Sequence, residues 1–234
     1  DTYSKVQNGG GFAGIQVDSG SSLTIASSTG EIHAYGAFYV EGDNSENSSY
    51  GYSSPTGTTQ NSLAGGAGIG GGVDGLTTTC DSQSYTAGTP GTIRIDGGFV
   101  YAYGGHQAAG IGGGLNSAAT SSSIQINGGT VEAHGGRWAA GIGDGDSLQN
   151  NWTTAYSDSY LIEINGGTVQ AVGGVACPGI GSTDEISAGQ TRTGTSGMEI
   201  RLNGGRVSAL SGYPDGFDPS GSTGYSGTDA AAAI

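Results

Sequence analysis

Three stretches of the chain repeat one arrangement of apolar and polar positions. "TIRIDGGFVYAYGGHQAAGIGGG" from Thr92, "SIQINGGTVEAHGGRWAAGIGDG" from Ser123 and "LIEINGGTVQAVGGVACPGIGST" from Leu161 superimpose without a gap. In each, Ile-x-Ile, Val-x-Ala and Ala-x-x-Ile place apolar residues at a period near two, the signature of half-buried strands. Asn-Gly-Gly (Asp-Gly-Gly in the first copy) and Gly-Gly separate these runs and read as turns. Fainter copies are "LTIASSTGEIHAYG" (Leu23 to Gly36) and "EIRLNGGRVSALSG" (Glu199 to Gly212). The equivalent residues Asp96, Asn127, Asn165 and Asn203 are 31, 38 and 38 residues apart, so the unit is constant and only the connection after Gly-Ile-Gly varies. No segment carries a 3.6-residue stripe, and almost no helix is expected.

Three short strands in a unit of about 20 residues predict one coil of a parallel β-helix. The expected fold is an all-β, single-domain β-solenoid over residues 1–234, with the repeat core at about 10–212 and residues 213–234 as a C-terminal cap. Five to six coils at about 4.8 Å would stand roughly 25 to 30 Å tall. Its narrow core should hold stacked rows, Ile95, Ile126, Ile164 and Leu202 in one and Val100, Val131, Val169 and Val207 in another. The corners explain the glycine, because each coil must turn within two or three residues.

The unit "INGGTVxAxGGxxAAGIGGG", seen from Asn127 to Gly145 and in its neighbours, resembles the glycine-rich β-solenoid repeats of secreted and cell-surface microbial proteins. The architecture is similar to the right-handed parallel β-helices of pectinases and other polysaccharide-active proteins. The resemblance covers roughly residues 10–212. It implies a right-handed coil, and it leaves the chemistry open, because the same scaffold carries lyases, hydrolases, adhesins and stalks.

Composition narrows the partners. Twenty acids against six Lys and Arg leave a net charge of −14, which repels phosphate backbones and anionic headgroups, so neither nucleic acid nor a membrane is expected as partner. No apolar run approaches the roughly 20 residues of a membrane span. No signal peptide is seen, which suits a mature secreted form or a cytosolic chain. Scarce Lys, abundant Ser, Thr, Tyr and Gly, and a low pI favour a secreted, extracellular protein. Cys80 and Cys177 could form one disulfide or remain thiols. P-loop, Rossmann, zinc-ligand and Gly-x-Ser-x-Gly patterns are absent from the sequence, so nucleotide and redox chemistry are not expected.

Alternation fixes which side chains point out. In the Val-x-Ala strand the outward pairs are His33 and Tyr35, Tyr101 and Tyr103, Glu132 and His134, and Gln170 and Val172, which stack into a stripe. Aromatic faces cover the C–H patches of sugars and polar groups take their hydroxyls, although cross-strand aromatic pairs also stabilise plain sheets. Tyr35, Tyr101, Tyr103 and His134 are therefore candidate glycan contacts, with His106, Arg137 and Trp138 at the next corner. The outward row Arg94, Gln125, Glu163 and Arg201 reads as a solvated structural face.

After Gly-Ile-Gly, acids replace glycine or apolar residues in the later copies: Asp144, Asp146 and Asp184, within two adjacent coils. Carboxylates about 5 Å apart on neighbouring coils could serve as acid and base in glycoside hydrolysis, with Glu132 completing the set. The same acids could bind Ca²⁺, no other cofactor being expected, or simply stabilise turns. The expected protein is a monomer that acts on a polysaccharide such as a cell-wall glycan. It is either a glycoside hydrolase using carboxylate acid/base catalysis or a non-catalytic carbohydrate-binding or adhesin module. A purely structural solenoid is the third reading.

Overall fold

The computed structural model describes residues 11–37, 65–72, 89–114, 122–145, 160–174, 177–183 and 198–212. These residues contain strands and no helix, arranged as five coils of three strands. The first coil holds β1 (Ile15–Gln16), β2 (Ser22–Ile25) and β3 (Glu31–Tyr35); the second β4 (Ile69–Gly70), β5 (Thr92–Ile95) and β6 (Phe99–Tyr103). The third holds β7 (Ile111–Gly112), β8 (Ser123–Ile126) and β9 (Thr130–His134). The fourth holds β10 (Ile142–Gly143), β11 (Leu161–Ile164) and β12 (Thr168–Val172); the fifth β13 (Ile180–Gly181), β14 (Glu199–Leu202) and β15 (Arg206–Leu210).

Equivalent strands pair in parallel into three five-stranded sheets. β1, β4, β7, β10 and β13 make the Gly-Ile-Gly sheet, β2, β5, β8, β11 and β14 the Ile sheet, and β3, β6, β9, β12 and β15 the Val sheet. The protein is a parallel β-helix. Its registers follow the repeat residue for residue: Ile95 pairs with Ile126 and Ile126 with Ile164, Val100 with Val131, and Tyr103 with His134.

Alternate burial is strict in the middle coils. Ile93, Ile95, Ile124, Ile126, Ile162 and Ile164 are fully buried while the residues between them face outward. Rows of Ile, Val and Ala from the three sheets meet in one continuous core. The fifth coil departs from the expected rows: Leu202 is 47% exposed and Val207 only partly buried. These residues stand in the last coil described, and the expected cap, residues 213–234, lies outside the described residues.

Two corners show why glycine is required. The second glycine of Asn-Gly-Gly has a positive φ near 85° at Gly98, Gly129, Gly167 and Gly205, a region that L residues resist. The second glycine of Gly-Ile-Gly has φ of 135° to 143° at Gly112, Gly143 and Gly181, and a Cβ on Gly143 would meet the Gly181 carbonyl oxygen at 1.9 Å. The first coil lacks Asn-Gly-Gly and turns differently, with the Ser27 Oγ accepting from the backbone N–H of Gly30 at 2.7 Å.

Candidate functional site

The outer face of the Val sheet carries the expected stripe. Parallel pairing sets His33 beside Tyr101 and Tyr101 beside Glu132; one step along, Tyr35 stands beside Tyr103 and Tyr103 beside His134. The rings stack on one another. His33 and Tyr101 lie 4.7 Å apart at 12°, Tyr35 and Tyr103 5.1 Å at 9°, and Tyr103 and His134 4.9 Å at 18°. These spacings are close to the rise between coils, so the backbone register itself makes the stack.

Each histidine is tied to a carboxylate on its own strand. His33 Nε2 donates to Glu31 Oε1 at 2.6 Å and His134 Nε2 to Glu132 Oε1 at 2.8 Å. Residues two apart on a strand point to the same face, which is why these pairs form. Glu132 and His134 are about one-third exposed. The face therefore offers phenol, imidazole and carboxylate groups along a line, with ring edges between them. The stacking changes one detail of the sequence expectation: ring faces within the stripe cover one another instead of lying open to a sugar.

The stripe ends at the corner joining the Val sheet to the Gly-Ile-Gly sheet. There the Arg137 guanidinium lies 4.1 Å from the centre of the Trp138 ring, and His106 of the preceding coil meets Trp138 edge-on at 6.0 Å. Trp138 has φ of 60°, and Gln107, its equivalent in that coil, 64°. A bulky left-handed residue is uncommon outside strained or functional positions.

Of the expected acid set, Asp144 and Glu132 are described. Asp144 lies at another corner, where the Gly-Ile-Gly sheet turns toward the Ile sheet, at the position of Gly113 and Ser182. Glu132 stands on the outer Val face with His134, so the structure does not bring it beside Asp144 at that corner. Asp146 and Asp184 lie outside the described residues. Among those described, no three His, Cys, Asp or Glu side chains gather in a way that could hold a metal ion. Cys177 is buried, and Cys80 lies outside the described residues.

Asp144 has a neighbour that the repeat did not announce. Tyr160, just ahead of β11, is 2% exposed, and its hydroxyl has no hydrogen-bond partner among the described residues. Burial, and secondarily the charge of Asp144, push this phenol well above its ordinary pKa. Its signal in the sequence is only a departure from repeat: the equivalent position holds Ser122 in the preceding coil and Met198 in the following one.

The Ile-sheet face is knitted by polar ladders. Asn127 Nδ2 donates to Asp96 Oδ1 at 2.7 Å, Asn165 Nδ2 to Asn127 Oδ1 at 2.9 Å, and Asn203 Nδ2 to Asn165 Oδ1 at 2.8 Å. Beside it, Arg94 Nε donates to Asp96 Oδ1 at 2.8 Å, Gln125 Nε2 to Glu163 Oε2 at 2.7 Å, and Arg201 Nε to Glu199 Oε1 at 2.7 Å. Hydrogen bonds from Arg94 and then Asn127 hold Asp96 below the usual carboxylate range. Those from Gln125 and then Asn165 do the same for Glu163. The constant spacing of Asp96, Asn127, Asn165 and Asn203 was the available signal for the ladder.

A model of the β-helix repeat matches the chain over residues 93–115, 124–146 and 162–184, which are the three strong copies. No curated protein and no solved structure gave a significant match.

Proposed function

We propose that this is a secreted carbohydrate-active protein that binds a polysaccharide along the outer face of the Val sheet. The observation that carries the reading is the continuous stack of Tyr35, Tyr103 and His134 beside His33, Tyr101 and Glu132. A glycan lying along the coil axis would meet hydroxyl, imidazole and carboxylate groups repeating at about the 4.8 Å strand spacing. Ring edges would fill the gaps between its hydrogen bonds. Because the stack is formed by the sheet register, these groups are ordered before the ligand arrives, which lowers the entropic cost of binding.

Glycoside hydrolysis is the second reading, favoured by the half-buried Asp144 beside the buried phenol of Tyr160. A carboxyl group taken partly out of water beside a neutral phenol suits acid/base work, and the sequence sets Asp146 two residues further on and Asp184 in the next copy of the repeat. One glycan panel tests both readings. Tyr101→Ala and Tyr103→Ala should each weaken retention on the glycan that binds best by about tenfold, on the scale of one aromatic contact. Asp144→Asn, Asp146→Asn and Asp184→Asn should leave retention intact. Cleavage by the native protein that any of these three abolishes establishes the hydrolase; retention indifferent to both tyrosines defeats the binding face.

A further inference from the structure

We propose that the protein associates with copies of itself head to tail, the first coil of one copy stacking on the fifth coil of the next. Among the described residues the fifth coil ends in open edges: β14 and β15 pair there only with β11 and β12, leaving their other sides as templates for a further strand. The Gly-Ile-Gly sheet ends the same way. A Cβ on Gly70, Gly112 or Gly143 would strike the carbonyl of the next coil at 1.9 to 2.0 Å, whereas among the described residues one on Gly181 meets only Pro178 side-chain atoms at 3.4 Å and beyond. Core-row residues are consequently exposed there, Leu202 at 47%.

The register and the charges favour a second copy as the occupant. Continuing the pairing by one coil would set Leu23 of the incoming copy beside Ile200 and Ile32 beside Val207, four side chains that are only partly buried in the single molecule. These are the same kinds of neighbour found inside the molecule, where Leu23 pairs with Ile93 and Ile32 with Val100. In the row Glu31, Phe99, Thr130, Thr168 and Arg206, the first member is an acid and the last a base. Stacking would place Glu31 of one copy against Arg206 of the other, a match of opposite charges in a protein with only six Lys and Arg. Tyr35 would come to stand over Leu210, covering two of the large apolar side chains that are most exposed, 47% and 50%. Such a contact joins different surfaces and does not close, so it propagates as a filament. The inference does not depend on glycan binding.

Sedimentation velocity over a concentration series, with electron microscopy of the largest species, tests it on the whole chain. The expected result is an open series of oligomers and thin filaments whose length grows with concentration. Glu31→Arg and Arg206→Glu should each raise the concentration of half-assembly at least about tenfold, since like charges then meet across the contact. The two together should restore it. Circular dichroism confirms that each variant keeps its fold. A monomer at every concentration overturns the proposal, as does a closed dimer or assembly indifferent to the exchange. Strong amide protection of β14 and β15 in a monomer also overturns it and assigns the edge to another part of the same chain.

Discussion

Gly143 and Tyr160 occupy the same region of the solenoid and are constrained in opposite ways. At Gly143 a side chain has no room, since φ is 143° and the next coil's carbonyl already fills the Cβ direction. Gly143→Ala should destabilise the fold by more than about 1 kcal/mol, read as a lower urea midpoint. At Tyr160 there is room for a ring, but its hydroxyl is buried with no partner among the described residues. Leaving such a group unsatisfied costs about 1–3 kcal/mol, so Tyr160→Phe should hold or raise the urea midpoint at neutral pH. The same residue sets an alkaline limit. Its folded pKa lies above that of an exposed phenol, so its contribution is complete below about pH 10 and is lost as pH rises beyond. Tyr160→Phe should flatten that alkaline decline; a lower midpoint at neutral pH would show that the hydroxyl has a partner after all.

At the scale of strands, the repeat made the fold legible before any coordinates. Gapless alignment of three copies carries the register with it, so the core positions and the outward rows of Tyr, His and Glu follow from period-two alternation alone. What alternation could not supply is how outward side chains treat one another. Tyr35, Tyr103 and His134 stack because equivalent positions are one coil rise apart, and the Asn ladder forms because Asn carries both donor and acceptor at that distance. The weak first and last copies were harder, because Ser27 replaces the Asn-Gly-Gly turn and Leu202 loses its cover. The candidate site was legible only in part for another reason: Tyr160 enters the corner from a connection outside the repeat. The Asp96 ladder makes a prediction at this scale. Its carboxylate is held low by Arg94 and Asn127, so its contribution is present above the ordinary carboxylate pKa and lost as pH falls through the lowered one. Melting temperature should drop between about pH 5 and pH 2, and Asp96→Asn should shallow that slope; an unchanged slope would assign acid sensitivity to other carboxylates.

For the whole molecule, stability is distributed along one axis. Among the described residues each coil pairs only with its neighbours, so the energy is approximately a sum of coil terms and of interfaces between coils. A residue in a middle coil serves two interfaces and one in the fifth coil serves one, and burial reflects this directly: Ile126 is 0% exposed and Leu202, in the same row, 47%. Ile126→Ala should cost about 2–5 kcal/mol, the range for a large side chain removed from a packed core. Leu202→Ala should cost far less in the monomer, because much of its surface is already in water. Hydrogen exchange separates the two substitutions further. Ile126→Ala should speed exchange in β5 and β11, on both sides of β8, whereas Leu202→Ala should speed it only in β14 and β11. Equal costs measured in dilute solution would mean that the solenoid unfolds as a single unit without this one-dimensional gradient. Leu202→Ala becoming the costlier change at high concentration would mark coil-on-coil contact between molecules, where that row is continued by a second copy.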